Sequence, residues 1–287
     1  MTGAVQPPIH AVRAAVALAL EEDLTPLGDL TSALLDADLI ATADFIARTE
    51  GVLAGVDCAS EAFAQVDPAV RVEWQVSDGE DIDAKQVLGR VTGPLPSVLT
   101  AERTALNFLC HLSGIATYTQ RFVRAAAGRA RIWDTRKTTP GLRALEKAAV
   151  RAGGGSNHRG NLSDWVLLKD NHLALLGIDE AVRRARSRWP ARTVHVECES
   201  LEQVRVALRA EADALLLDNM TPDEVRACVA EVDTYASSSG VRRPILEVSG
   251  GINLQTVGEY AATGIDLISV GAITNSAPNL DIGLDIS

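Results

Sequence analysis

Three groups of residues in this 287-residue chain have the types and spacing of a site. The first is cationic: Arg136, Lys137, Lys169 and Asn157-His158-Arg159, the last behind Gly153-Gly154-Gly155, with Arg103 further upstream. Guanidinium forks match carboxylates two bonds at a time, and lysine adds a point charge. So many cations in a chain of net charge −11 point to a ligand with several carboxylates or phosphates. Taken singly, each would pair with a surface carboxylate; the clustering is what favours a ligand. The second group is acidic. Glu197 and Asp218 each end an apolar run, and their oxygens suit Mg2+ held through water or substrate phosphates. Simple counter-charge for the cations is the alternative, and Glu199 is a weaker third candidate. The third group is Ser249-Gly250-Gly251 followed by Val270-Gly271-Ala272, where glycine lets backbone N–H groups approach a phosphate. His158 is open between anion ligand and structural residue. His111, His172 and His195 read as structural, and no Ser-His-Asp set, Cys-His pair or metal-ligating His pair is visible.

The elements that must position these groups follow from periodicity. From about 113 to 275, short apolar runs alternate with helical stretches. Strands are expected at Arg131 to Trp133, Trp165 to Leu168, Thr193 to Val196, Ala214 to Leu217, Pro244 to Val248 and Ile265 to Val270. Runs this continuous in Val, Ile and Leu suit parallel strands buried on both faces. The polar groups after them begin at Asp134, Lys169, Glu197, Asp218, Ser249 and Gly271, at successive gaps of 35, 28, 21, 31 and 22 residues. Each gap is about one βα unit. A closed barrel would gather those ends on one face, where barrel enzymes keep their sites, whereas an open sheet would spread them. The barrel is the expectation, with six or seven strands. Residues 1–112 read as a small α+β unit: an amphipathic helix at Ile9 to Leu20, strands at Ala41 to Thr49, Arg71 to Val76 and Val87 to Val91, then a helix from Leu99 with Thr100 as N-cap.

Composition narrows the function. With 47% hydrophobic residues the chain has the apolar material for a core, so disorder is excluded as its main state. The apolar run Ala14 to Leu20 stops at Glu21-Glu22-Asp23, far short of the roughly 20 residues a spanning helix needs, and it lacks the flanks of a secretory signal. No membrane partner and a cytoplasmic location are expected. The acidic balance, 38 Asp+Glu against 27 Lys+Arg, repels nucleic acid. Cys58, Cys110, Cys198 and Cys228 form no C-x-x-C pair, which argues against a zinc or disulfide scaffold.

These residues resemble the decarboxylating quinolinate phosphoribosyltransferase family of NAD biosynthesis. The matching runs are Leu99-Thr-Ala-Glu-Arg103-Thr-Ala-Leu-Asn107 with His111-Leu-Ser-Gly-Ile-Ala116, Asp134-Thr-Arg-Lys-Thr-Thr-Pro-Gly-Leu-Arg143 and Gly153-Gly-Gly-Ser-Asn-His-Arg159. Lys169-Asp-Asn-His172, Leu217-Asp-Asn219, Val248-Ser-Gly-Gly-Ile252 and Leu280-Asp-Ile-Gly-Leu284 complete the set, so the resemblance covers almost the whole chain. It implies an incomplete seven-stranded α/β barrel over 113–275, and an N-terminal open-faced α/β sandwich over 1–112 joined by the tail 276–287. It implies transfer of the phosphoribosyl group of 5-phosphoribosyl 1-pyrophosphate to quinolinate, giving nicotinate mononucleotide, pyrophosphate and CO2. Arg103, Thr135, Arg136, Lys137, His158, Arg159 and Lys169 would then hold quinolinate. Glu197 and Asp218 would hold ribose and Mg2+. Ser249, Gly250, Gly251, Val270, Gly271 and Ala272 would hold the 5-phosphate. Lys137, Lys169, Glu197 and Asp218 are the implied catalytic set. A homodimer is implied, possible as part of a hexamer, in which Arg103 completes the other subunit's site. One departure is the order His158-Arg159-Gly160-Asn161-Leu162, where many relatives place glycine two residues after the His-Arg pair; Trp165 is also bulky for its place. Three alternatives remain at this stage: a paralogue acting on nicotinate or linked to molybdenum transport, a Schiff-base aldolase using Lys169, and a non-catalytic phosphoribosyl sensor.

Overall fold

The alternating patterns become a four-stranded antiparallel sheet, a six-stranded parallel sheet and a two-stranded antiparallel ribbon in a computed structural model that describes residues 6–286. In chain order the elements are α1 (Ile9–Leu24), β1 (Ile40–Ala47), β2 (Gly51–Val52), α2 (Val56–Val66), β3 (Arg71–Trp74), β4 (Asp81–Ile82), β5 (Val87–Pro94) and α3 (Leu95–Ala126). There follow β6 (Arg131–Trp133), α4 (Arg143–Ala152), β7 (Val166–Leu168), α5 (Asp170–Leu176), α6 (Ile178–Arg188), β8 (Val194–Cys198), α7 (Leu201–Arg209) and β9 (Ala214–Asp218). The chain closes with α8 (Pro222–Ser239), β10 (Ile245–Ser249), α9 (Val257–Ala261), β11 (Leu267–Ser269), α10 (Ala272–Asn275) and β12 (Ile282–Ile286).

The chain divides into two compact units, each drawn from several stretches. Among the described residues, one holds 6–120, 137–155 and 273–286, the other 121–136 and 156–272. The stretch 137–155, which carries Lys137 and α4, therefore groups with the N-terminal residues although it interrupts the βα series in sequence.

In the first unit an antiparallel sheet runs β12-β1-β5-β3. The tail strand β12 pairs along β1, with Phe45 opposite Leu284. One face of β1 is apolar: Ala43, Phe45 and Ala47 are buried, as strand alternation demands. Phe45 stacks on Trp74 at 4.7 Å and meets Phe63 of α2 edge-on at 6.0 Å. The helix expected from Leu99 starts a turn earlier, at Leu95. Pro96 sits in its first turn, where its missing N–H costs no helical bond. Thr100 is consequently inside the helix and not its N-cap, and its hydroxyl donates to Asp29 at 3.0 Å.

In the second unit six parallel strands run β6-β11-β10-β9-β8-β7. The last strand in sequence, β11, pairs with the first, β6. A one-residue parallel bridge joins Trp133 to Ser156 on the other side of β6. The cyclic order therefore has seven positions, and the ring is broken between Ser156 and β7. That break is spanned by 157–165, the stretch bearing His158 and Arg159. Helix ends in this unit carry the sequence signals they need. Thr221 and Glu224 cap α8 reciprocally, with Pro222 in its first turn and Gly240 in a left-handed conformation at its end.

Candidate active site

Registers fix which strand residues share a face. Glu197 of β8 lies opposite Leu216 of β9, which lies opposite Glu247 of β10. One step on, Asp218 lies opposite Ser249. Side chains alternate along a strand, so Glu197, Asp218, Glu247 and Ser249 point to one face, and Val196, Leu217, Leu246 and Val248 to the other. The pairing of Ser269 with Trp133 continues the polar face onto β11 and β6.

At the C-terminal ends of these strands the acidic residues are held. The ammonium of Lys169, which follows β7, pairs with Glu197 Oε2. The Asp170 N–H faces Glu197 Oε1 at 3.5 Å. Asp218 accepts from Ser249 Oγ at 2.8 Å and from Asn219 Nδ2 at 2.6 Å. Asn219 has φ 54° and places its amide against the next loop. A Cβ at Gly250 would stand 2.2 Å from Asn219 Oδ1, and Gly250 itself has φ +96°, so glycine is required there twice over. Gly251 has φ +63° but faces open space. Glu199 lines, with Asp170 and Glu197, a cleft of about 500 Å3. His172 does what a structural histidine would: its Nδ1 accepts the Lys169 N–H at 3.1 Å and closes the start of α5.

The 157–165 stretch is anchored from below. Asp134, fully buried, accepts from Asn157 Nδ2 and from the His158 N–H, both at 2.7 Å. Asp164 accepts the Gly160 N–H at 2.7 Å and turns the chain. His158 and Arg159 are consequently both buried. Burial pulls the Arg159 guanidinium below its ordinary range, and the positive charge of Arg136 adds to that pull. Around His158 pack Trp165, ring centroid 4.9 Å away, Trp133 at 5.7 Å and His195 at 6.3 Å.

Beneath His158 lies a residue that the sequence reading passed over. Glu247 Oε2 is 3.4 Å from His158 Nε2 and 3.8 Å from His195 Nδ1, and its Oε1 accepts from Ser269 Oγ. Burial pushes the Glu247 carboxyl up, yet the nearby His158 imidazole, the Ser269 hydroxyl and His195 hold it below the ordinary carboxylate range; its Oε2 has no hydrogen-bond partner and faces His158 as a close charge contact. Burial drives His195 down to about 4. No metal-ligating histidine pair is visible in the sequence, yet His158, His195 and Glu247 bring ligand-type atoms within 4.8 Å of one another. Residues 37 apart in sequence meet because both face the barrel interior. The available signal was a glutamate inside the otherwise apolar stretch Ile245–Val248 of β10.

Val270 N–H donates to the Trp133 carbonyl at 2.9 Å, and this bond brings Gly271 and Ala272 to the strand end next to Thr135 and Arg136. Arg103 and Lys137 belong to the first unit, each exposed. The Lys137 carbonyl accepts from Thr274 Oγ1 at 2.8 Å. Two residues on, the Thr139 N–H donates to Glu146, whose fully buried carboxylate also takes His111 Nε2 at 2.9 Å. His111 is structural as expected. Glu146, unmarked by the sequence reading, pins the turn that follows Lys137.

Comparisons with known proteins agree with this layout. Residues 29–113 match the family model for the quinolinate phosphoribosyl transferase N-terminal domain, and residues 115–285 match that for its C-terminal domain. The chain is 44% identical over 283 residues to nicotinate-nucleotide pyrophosphorylase [carboxylating] of Mycobacterium leprae, covering 96% of this chain and 97% of that one. It is 40% identical over 263 residues to a probable enzyme of the same name from Bacillus subtilis, covering 91% and 88%. The structure of the nicotinate-nucleotide pyrophosphorylase from Francisella tularensis superimposes with a TM-score of 0.91 at 37% identity, over 98% of each chain.

Proposed function

This chain belongs to the quinolinate phosphoribosyltransferase family, and from that premise we propose that it transfers the phosphoribosyl group of 5-phosphoribosyl 1-pyrophosphate to quinolinate, with loss of CO2, in de novo NAD biosynthesis. The observation that carries the reading is that His158 and Arg159 are both buried beside the end of β6, where burial first and then the positive charge of Arg136 pull the Arg159 guanidinium below its ordinary range. Like charges held together at partial burial favour a ligand with more than one negative charge. Quinolinate, with two adjacent carboxylates, has that form. Thr135, Lys137 and Lys169 join these cations in the reading.

The chemistry needs charge placement more than proton transfer. The bond from ribose C1 to pyrophosphate breaks as the pyridine nitrogen bonds to C1, and C1 becomes oxocarbenium-like between the two events. Glu197 and Asp218 orient ribose hydroxyls and favour the positive charge developing at C1. The loops Ser249-Gly250-Gly251 and Val270-Gly271-Ala272 hold the 5-phosphate on backbone N–H groups. Alkylation leaves the ring nitrogen positive. When the adjacent carboxylate departs as CO2, its bonding electron pair stays on the ring carbon beside that nitrogen and is then protonated. Orientation of both substrates accounts for much of the rate.

Mg2+ is the proposed metal. Glu197 and Asp218 already accept hydrogen bonds from Lys169, Ser249 and Asn219. Each carboxylate keeps further lone pairs, which suits an ion held through water and pyrophosphate oxygens. Bound there, it would neutralise the departing pyrophosphate. A cytoplasmic homodimer is proposed, with Arg103 of each subunit reaching the other's site. Its supports are the exposure of Arg103 on α3 and four free cysteines.

The test is incubation with quinolinate, 5-phosphoribosyl 1-pyrophosphate and Mg2+. Formation of nicotinate mononucleotide is expected, and nicotinate in place of quinolinate should be a poor substrate. Equal or better turnover of nicotinate would overturn the dicarboxylate reading. Arg136→Ala should lower kcat/KM for quinolinate by about 10- to 150-fold, the worth of a charge-assisted hydrogen bond.

A further inference from the structure

Glu247 is a buried carboxylate for which the proposed reaction has no direct use. It sits mid-strand in β10, only 1% exposed, between Leu246 and Val248. Its oxygens meet Ser269 on β11, His158 after the Ser156 bridge, and His195 on β8. Three strands or strand ends thus converge on one acid from different sides of the ring. The same pocket holds the Nε1 atoms of Trp133 and Trp165 and the Nε atom of Arg159, buried and without hydrogen-bond partners. Native interiors tolerate few such atoms, and they gather here around a single charge. The titratable and charged groups facing His158 and Arg159 are Glu247 from β10, the neutral His195 from β8, Asp134 and Arg136 from the end of β6, and Asp164 from the same loop. Of the acids, Asp134 is occupied by backbone and amide donors and Asp164 by the Gly160 turn. Glu247 is the acid aimed at the His158 imidazole.

We propose that Glu247 is a positioning residue for quinolinate: from inside the barrel it orients His158, and through its charge Arg159, so that both face the substrate carboxylates. Glu247 does not itself touch substrate. This inference rests on the reading of His158 and Arg159 as carboxylate ligands. The physical logic is counter-charge. Arg159 and Arg136 repel each other, and an anion behind Arg159 and the His158 ring holds both side chains in place until substrate supplies the anion in front. An interaction made equally in the ground and transition states changes KM more than kcat. The effect should fall on quinolinate, because the side-chain contacts of Glu247 lead to His158 and, by charge, to Arg159, whereas the 5-phosphate is read as held by backbone N–H groups of the loops after Val248 and Ser269.

The decisive comparison is Glu247→Gln against wild type in the full-length protein. The expected result is a rise in quinolinate KM of about tenfold or more, with kcat and the KM for 5-phosphoribosyl 1-pyrophosphate each within about threefold. Glu247→Asp should recover part of the loss. Side-chain 15N spectra of the substrate-free protein should show the His158 ring signals moved in Glu247→Gln. Equal rises in both KM values, or an unchanged quinolinate KM, overturn the proposal. If wild type does not turn over quinolinate, the functional reading fails. The spectra then still decide on Glu247, because unmoved His158 signals overturn its coupling. Should Glu247→Gln not fold, Ser269→Ala removes only the Oε1 partner; it should give the same selective rise, smaller in size, and no rise overturns the proposal. The rival for two histidines and a carboxylate is a transition metal. One tightly held zinc per chain after zinc titration, lost in His195→Ala, would overturn the positioning role.

Discussion

Lys169 and Glu197 form an ion pair across neighbouring parallel strand ends, with the carboxylate 5% exposed and the lysine side chain 46% exposed. The asymmetry decides what each partner is worth. Glu197 cannot turn to water if its partner is removed, whereas Lys169 can. Lys169→Ala should therefore destabilise the fold by about 1–3 kcal/mol, the cost of a buried charge-bearing acceptor left unmatched, besides lowering kcat/KM. Thermal unfolding and steady-state kinetics on one preparation would show both. A variant with wild-type stability would mean that Glu197 finds another donor, of which the Asp170 N–H is the nearest.

Gly250→Ala and Gly251→Ala should differ. Both positions have positive φ, at +96° and +63°. An alanine in the left-handed region costs about 1–2 kcal/mol. Only at 250 does the new Cβ also meet backbone and amide atoms of Asn219, one of them at 2.2 Å. Gly250→Ala should lose more stability and raise the KM for 5-phosphoribosyl 1-pyrophosphate, while Gly251→Ala should pay only the backbone term. Indistinguishable melting temperatures would contradict the close approach of the two loops.

Stability should fall in mild acid because of His195. Burial holds its folded value at about 4, against 6.5 unfolded. The unfolded chain therefore takes up the proton first as pH drops. The stabilising contribution is complete above pH 6.5 and is lost between there and about 4, at most roughly 3 kcal/mol. Urea midpoints measured from pH 7 to pH 4.5 should decline, and His195→Asn should flatten that decline. A His195→Asn slope identical to wild type would remove His195 as its source.

Chelation should separate chemistry from folding. If Mg2+ acts only on the leaving pyrophosphate, EDTA should abolish turnover without moving the melting temperature, since Glu197 and Asp218 keep their protein partners. Excess Mg2+ should restore activity. A melting temperature that drops on chelation would place a structural ion in the protein instead.

The placement of much of the candidate site was legible in the sequence because βα units put the residues after each apolar run at one end of the sheet. Lys169, Glu197, Asp218 and Ser249 all stand where an apolar run stops, and each is found at a parallel strand end. Boundaries were less legible. The start of α3 was placed at Leu99 because Pro96 reads as a breaker, although a helix tolerates proline in its first turn. Helix α5 was unmarked, since none of its residues is buried and it has no apolar face to show. The grouping of 137–155 with the N-terminal residues was also invisible, because spatial partners leave no local period.

The sequence by itself determined the repeating βα order, the cationic and acidic strand ends, and the glycine loops, because each depends on residues within one unit of the chain. Tertiary structure alone decided which side chains meet. Closure of β11 onto β6, with the ring open between Ser156 and β7, brings Glu247, His195 and His158 from three distant stretches into one buried cluster. The physical reason is that such encounters are set by ring curvature and by the face each residue occupies, and neither is written in the spacing of a single strand.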